Sequence, residues 1–332
     1  MRYASVRFAS VRFASLRFTS VTFASAAFVV PPVAAQSYPV KPVRIVVPAL
    51  TGGPTDIPAR ILAEGLSNLL NQRFIIDNRG GAGGIIGAEV VARSAADGYT
   101  LLYANTSVLA VNPATHAKLP YDPVTQFVPI GFVSNAPQAL VANPKLPFRN
   151  IAELLSFSKA NPGRLNFAAS GPGSLPHLTF ELLKMETGLR AELIVYNGGG
   201  PALTAVGAGQ SDLLFDIVGA RVRSGEVRAI AVTGTARHPE APEVQTMIEQ
   251  GAPGVTATTG NGLVGPTGIA REIVVLLNTR MNEVLKMPDT QQKMKSLGLM
   301  PAGGSPEEFG AWANDQRQKW VRVVKLAGIK QE

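Results

Sequence analysis

Four segments of the 332-residue chain place glycine between an apolar run and a helical pattern. They are Thr51-Gly52-Gly53-Pro54-Thr55-Asp56, Arg79 to Gly84, Ser170-Gly171-Pro172-Gly173-Ser174 and Asn197-Gly198-Gly199-Gly200-Pro201. A strand that turns on glycine into a helix aims backbone N–H groups and the positive helix end at one spot. Such a turn holds a carboxylate or phosphate without a charged side chain. One turn alone serves equally well to close a tight strand–helix connection. Four, two in each half, point to anion recognition.

Chemistry beyond binding has no residues to run on. His116, His177 and His238 lie too far apart for a local metal motif, and cysteine is absent. That removes thiol catalysis, disulfides, cysteine–zinc sites and an acylated lipoprotein cysteine. Gly81-Ala82-Gly83-Gly84-Ile85-Ile86-Gly87 approaches a dinucleotide fingerprint, but its third glycine is one position late. The next strand ends in Asn105-Thr106, with no acid for a ribose hydroxyl. No Gly-Lys-Ser/Thr loop occurs, Ser170 and Ser174 stand outside any Gly-x-Ser-x-Gly elbow, and Asp77, Asp97, Asp212 and Asp216 lack paired-carboxylate spacing. His177, one turn after Ser174, reads as a structural hydrogen-bonding residue. The chain is expected not to be an enzyme.

Turns of this kind need a strand before them and a helix behind. Arg44-Ile45-Val46-Val47 is a short buried strand ended by Pro48. Behind the first turn, Ala59, Leu62, Ala63, Leu66, Leu69 and Leu70 form an amphipathic helical stripe. Phe74 to Asp77 is a second strand, a helix runs through Val90 and Val91, and Thr100 to Tyr103 is a third strand. The pattern restarts with a strand at Gln138 to Ala142. A helix follows from Asn150, boxed by Glu153, and then strands at 166–169, 192–195, 213–215 and 228–232, with helices after the two later glycine turns. Ser305-Pro306-Glu307-Glu308 caps a final helix, on whose stripe Trp312 and Trp320 read as core. Asp56 reads as a helix cap or a ligand contact, Arg60 as its i+4 partner, and Tyr196 as a core residue or a contact. The expectation is an α/β protein of two lobes, each a sheet flanked by helices, with ligand held between them at the carboxyl ends of strands.

The formal charge of +8 suggests nucleic acid, but four of the arginines (Arg2, Arg7, Arg12 and Arg17) sit in an acid-free start of 35 residues. There they recur in drifting copies of Ser-Val-Arg-Phe-Ala, followed by an apolar run and then Val33-Ala34-Ala35. A basic start, an apolar middle and a small-residue end describe a secretory signal cleaved after Ala35. Without it the charge falls to +4, and no nucleic-acid partner is expected. The longest apolar stretch, Ala26 to Ala35, is broken by Pro31 and Pro32, so no transmembrane helix fits.

Several segments together resemble the Bug receptors, the periplasmic solute-binding components of tripartite tricarboxylate transporters. They are Pro42 to Pro48 with Gly52 to Arg60, then Asn78 to Gly84, Asp97 to Leu102, Ser170 to Leu178, Tyr196 to Leu203 and Arg228 to Thr233. The resemblance runs in order over 38–332. It implies a periplasmic-binding-protein-like (Venus flytrap) fold that closes on a small carboxylate and delivers it to a membrane permease, with neither cofactor nor metal; a monomer is expected. By the same resemblance, residues 36–137 and 260–332 form one lobe and 138–259 the other, joined at a hinge. Carried over by position, the contacts would be Gly52, Gly53, Thr55, Ala82, Gly83, Thr106 and Ser107 from the first lobe. The second lobe would supply Ser170, Gly173, Ser174, His177, Tyr196, Gly199 and, for an amino or hydroxyl group, Asp216. The chain departs from the family at Pro48 to Thr51, in a shortened stretch from Asp216 to Gly225, and at Asn261-Gly262-Leu263, which lacks the usual aromatic residue. A periplasmic sensor subunit and an α/β enzyme are the alternative classes.

Overall fold

The run Val43–Val47 (β1) sits in the middle of three parallel strands because every second residue, and more, is apolar. Ile45, Val46 and Val47 are fully buried. Its neighbours are Phe74–Asn78 (β2) and Thr100–Asn105 (β3), with Val43 beside Phe74 and Ile45 beside Leu101. These strands belong to a computed structural model that describes residue 5 and residues 38–330. The expected signal, residues 1–35, lies outside the described residues apart from Ser5. Helix Asp56–Leu70 (α1) covers one face, burying Ala59, Leu62, Ala63 and Leu66 as its stripe demands. Helix Ile85–Ala92 (α2) covers the other with Ala88 and Val91. A π-helical turn at Ser107–Val111 leads into the short helix Asn112–Thr115 (α3).

The strand expected to begin at Gln138 is longer. Phe127–Ala142 (β4) is one strand of 16 residues. Its first part, with Pro129, Gly131 and Pro137, reads against a strand interior, since proline cannot donate to a ladder. The ladder absorbs them by shifting register between Pro129 and Gly131 and again between Phe132 and Ser134. Up to Pro137, β4 pairs antiparallel with Thr258–Pro266 (β9); from Gln138 onward it pairs with Leu213–Ile217 (β7) and Arg228–Val232 (β8). One strand therefore serves two sheets, in the order β2-β1-β3-β9-β4-β7-β5-β6, where β5 is Asn166–Ala169 and β6 is Glu192–Val195.

The second sheet is flanked by Ile151–Ala160 (α4), Leu175–Thr187 (α5) and Gly199–Ala208 (α6), with the single turn Ala220–Arg223 (α7) after β7. Asn150 caps α4, accepting from Glu153 N at 2.8 Å. Phe167 on β5 stacks on Phe180 of α5 at 4.1 Å between centroids. After β9 the chain returns through Arg271–Lys286 (α8), Pro288–Ser296 (α9), the two-residue strand Met300–Pro301 (β10) beside β4, and Pro306–Leu326 (α10). Ser305 and Glu308 form the expected capping box on α10.

Gly262 of β9 leaves no room for a side chain. A Cβ there would come 2.1 Å from the Phe309 ring of α10. Trp320 is fully buried, as its stripe position predicts, whereas Trp312 is only partly buried and leans on Phe132 at 4.5 Å. Both sheets lie in one compact unit, Tyr38–Glu332. Among the described residues no helix is long and apolar enough to cross a membrane.

Candidate functional site

The loops that follow β1, β2 and β3 emerge side by side because those strands are adjacent and parallel. Asp56 organises the first of them. It is the first residue of α1, not its cap, and its carboxylate is 1% exposed. It accepts the Gly52 amide at 2.8 Å, Arg60 Nε at 2.9 Å and Asn78 Nδ2 at 2.9 Å. Asn78, the last residue of β2, also donates to the Ala49 carbonyl and accepts from Arg60. It thereby ties the loop after β1 to the loop after β2. Burial works to raise the Asp56 pKa, but the bonds from Arg60, Gly52 and Asn78 outweigh it and hold the carboxyl below its ordinary range.

The second loop runs left-handed through Gly81 (φ 117), Ala82 (φ 45), Gly83 (φ 61) and Gly84 (φ 92). Alanine in this region is uncommon and strained. A Cβ on Gly84 would meet Val108 at 3.0 Å and Pro48 at 3.1 Å, so the close approach to both neighbouring loops requires glycine. Asn112 holds the Gly83 carbonyl at 3.1 Å and meets Tyr121 Oη, which in turn donates to the Val108 carbonyl at 2.8 Å. Thr106 is committed to the sheet: its hydroxyl accepts the Gly260 amide at 2.7 Å.

In the second half, the loops after β5 and β6 sit together, with Gly199 beside Ser170. His177 Nδ1 accepts the Gly173 amide at 3.0 Å, which assigns the ring proton to Nε2. Burial lowers the His177 pKa, the nearby Glu181 carboxylate opposing it, so the neutral ring is favoured. Ser174 stands at the N-cap position of α5, yet its hydroxyl makes no capping bond, and its buried Oγ has no partner among the described residues. The Tyr196 and Ser211 hydroxyls share a hydrogen bond at 2.8 Å, and the Tyr196 ring packs with the core of the second sheet. Gly173 lies against Thr115, where an added Cβ would fall 3.1 Å from the threonine methyl. Leu175 and Leu178 share a buried cluster with Val111 and Ala114. The two sets of loops meet there.

These contacts sort the expected donors. The amides of Gly52, Gly53 and Gly173 already have acceptors in Asp56, the Leu50 carbonyl and His177. Those of Thr55, Ala82, Gly83, Ser107, Ser170 and Gly199 have none among the described residues. Asn78, Asn112, Thr115 and Tyr121 were not singled out by sequence. Only Asn78, beside a glycine turn at a strand end, carried a readable signal. The described residues include no group of three or more His, Asp or Glu suited to a metal.

Residues 58–329 match the model of the tripartite tricarboxylate transporter family receptor. The chain belongs to this receptor family. It is 36% identical to protein BugT of Bordetella pertussis over 313 residues, 91% of this chain and 94% of that one. A solved R. palustris protein with adipate is 34% identical with a TM-score of 0.81, covering 89% of this chain and all of that chain. MatC of Rhodopseudomonas palustris with bound malate is 30% identical with a TM-score of 0.76, covering 86% and 100%. The fold is that of periplasmic binding proteins.

In this family receptor Asp216, near the carboxyl end of β7, is the one carried-over acid. Burial pushes its pKa from 3.8 up to about 6, against the Ile217 amide at 2.8 Å and the field of Arg221. A raised folded-state pKa means that the folded protein holds the proton more tightly than the unfolded chain. The contribution of Asp216 to stability therefore falls as pH rises from 3.8 to about 6 and stays at the lower level above it. Asp216→Asn is expected to remove this slope, making the variant the more stable protein at neutral pH. Urea unfolding across that range checks it, and an unchanged slope would show the carboxylate to be solvated.

Proposed function

We propose that this receptor captures a small dicarboxylate between two lobes and delivers it to the membrane permease subunits of a tripartite transporter. The observation that carries the reading is a set of six amides and one serine hydroxyl without partners among the described residues, on loops at the carboxyl ends of two sheets, with few cations among them. Backbone donors and a hydroxyl suit a carboxylate whose charge is dispersed over several hydrogen bonds. The bound adipate and malate of its relatives, both dicarboxylates, support the class.

The lobes are residues 36–137 with 260–332, and residues 138–259. The transfer of β4 between sheets at Pro137 and Gln138 supports this division. Hinge motion of the two crossings closes the site. The mature protein begins at Gln36, is free in the periplasm, works as a monomer without a cofactor, and turns nothing over. Binding to the native state alone raises the melting temperature. Adipate, malate and succinate are therefore expected to raise it, and N-terminal sequencing of exported protein to begin at Gln36. A screen of mono-, di- and tricarboxylates without any shift, or chemical conversion of a bound acid, would overturn the reading.

A further inference from the structure

A recess of about 500 Å³ is lined by none of the residues assigned above to the ligand. Its walls come from both sheets. Phe132 on β4 and Trp312, Gln316 and Lys319 on α10 form one side, and Thr233 to Arg237, after β8, form the other. Phe132 and Trp312 supply the apolar part of the wall, their rings packed on each other at 4.5 Å between centroids and tilted by 33°.

The polar groups of this recess are left incomplete by the protein. Lys319 is partly buried, and its ammonium donates to the carbonyl of Thr256 and, at 2.8 Å, to the Thr256 hydroxyl. Among the described residues its third N–H finds no oxygen acceptor, only the face of the Trp320 ring at 4.9 Å from the centroid, and no carboxylate lies within ion-pair distance. Gln316, three residues earlier on the same helix face, has a buried Oε1 with no partner. Because amide oxygen and nitrogen are interchangeable in assignment, that position serves as a donor once the amide is turned. A cation drawn out of water without a counter-ion is costly, and burial alone pulls the Lys319 pKa down to about 8. Of the other charges nearby, Arg237 on the recess wall is held by Glu249 at 2.9 Å. Glu186, Asp315 and Arg322 line the depression on the other side of Lys319.

We propose that this recess is a second anion site, which takes a small aromatic carboxylate with its charge on Lys319 and Gln316 and its ring against Trp312 and Phe132. The carboxylate supplies the missing counter-ion and fills both open hydrogen-bond positions. The ring covers apolar surface that is otherwise wet.

Benzoate is the probe, titrated by calorimetry into the full chain and into Lys319→Met, Gln316→Ala and Ser174→Ala. The expected result is saturable binding, weakened about tenfold or more by Lys319→Met and several-fold by Gln316→Ala. Ser174→Ala should leave it untouched. Affinity should stay level between about pH 6 and 8, where benzoate is ionised, and fall above it, as the ammonium loses its proton. Should Lys319→Met fail to fold, Gln316→Ala and the pH profile decide. Absence of saturable binding, or binding lost in Ser174→Ala but kept in Lys319→Met, overturns the proposal; the latter result would assign benzoate to the carboxyl-end loops. Adipate titrated into the same variants tests those loops separately, so the two sites fail independently.

Discussion

Replacing Ser174 by alanine is expected to weaken dicarboxylate binding by about ten- to a hundredfold while leaving the unfolding midpoint in place. The hydroxyl stands where a serine ordinarily caps a helix, but it makes no bond to α5. It is buried and without a partner among the described residues. A buried hydroxyl in that condition adds nothing to the unliganded fold, so its loss costs the fold nothing. Offered a charged oxygen it completes a bond worth roughly 1.5–3 kcal/mol, which is the predicted drop in affinity. Calorimetric titration with adipate and a melting scan on the same preparation separate the outcomes. A lower midpoint with intact affinity would make Ser174 a cap and nothing more.

Asp56→Ala is expected to lower stability by about 2–4 kcal/mol and to weaken ligand binding about tenfold or more. Three donors lose their shared acceptor at once: the Gly52 amide, Arg60 and Asn78. Arg60 reaches solvent and re-solvates. Asn78 does not escape so easily, because its other bonds fix the loop before the first glycine turn. Asp56→Asn should fall between the two proteins, since an amide keeps one acceptor but turns an N–H towards Arg60. The carboxyl pKa is lowered in the fold, so its contribution is present above the ordinary carboxylate value and is lost as pH falls below it. Urea unfolding of the three proteins at neutral and acid pH tests this. Equal stability of Asp56→Ala and the parent at neutral pH would remove Asp56 as the organiser of that loop.

What the sequence announced and what it hid divide along the range of the interactions. The α1 stripe, the Asn150 and Ser305 caps and the glycine turns are local patterns, and each appears where its pattern lies. The first eleven residues of β4 were hidden by Pro129, Gly131 and Pro137, because nothing local shows that β9 will shift its register around them. Trp312 sits on the predicted stripe, yet only its packing on Phe132 shows that it ends part-way out of the core. Asp56, Asn112 and Ser174 have types that allow several roles. Which role each takes depends on partners 22, 29 or more residues away, or on the lack of one.

The shared strand also sets an order on the ribosome. Every strand of the second sheet lies between Gln138 and Val232, so that sheet has all its members as soon as β8 has emerged. The first sheet does not. Its strands β1 to β3 are synthesised early, but β3 has no partner on one side until β9 appears more than a hundred residues later. The part made first must therefore be finished last, and the later half is complete before it. For that interval β3 is a bare edge, open to other chains. Retention of the nascent chain by a holding chaperone until Pro266 is out would protect it.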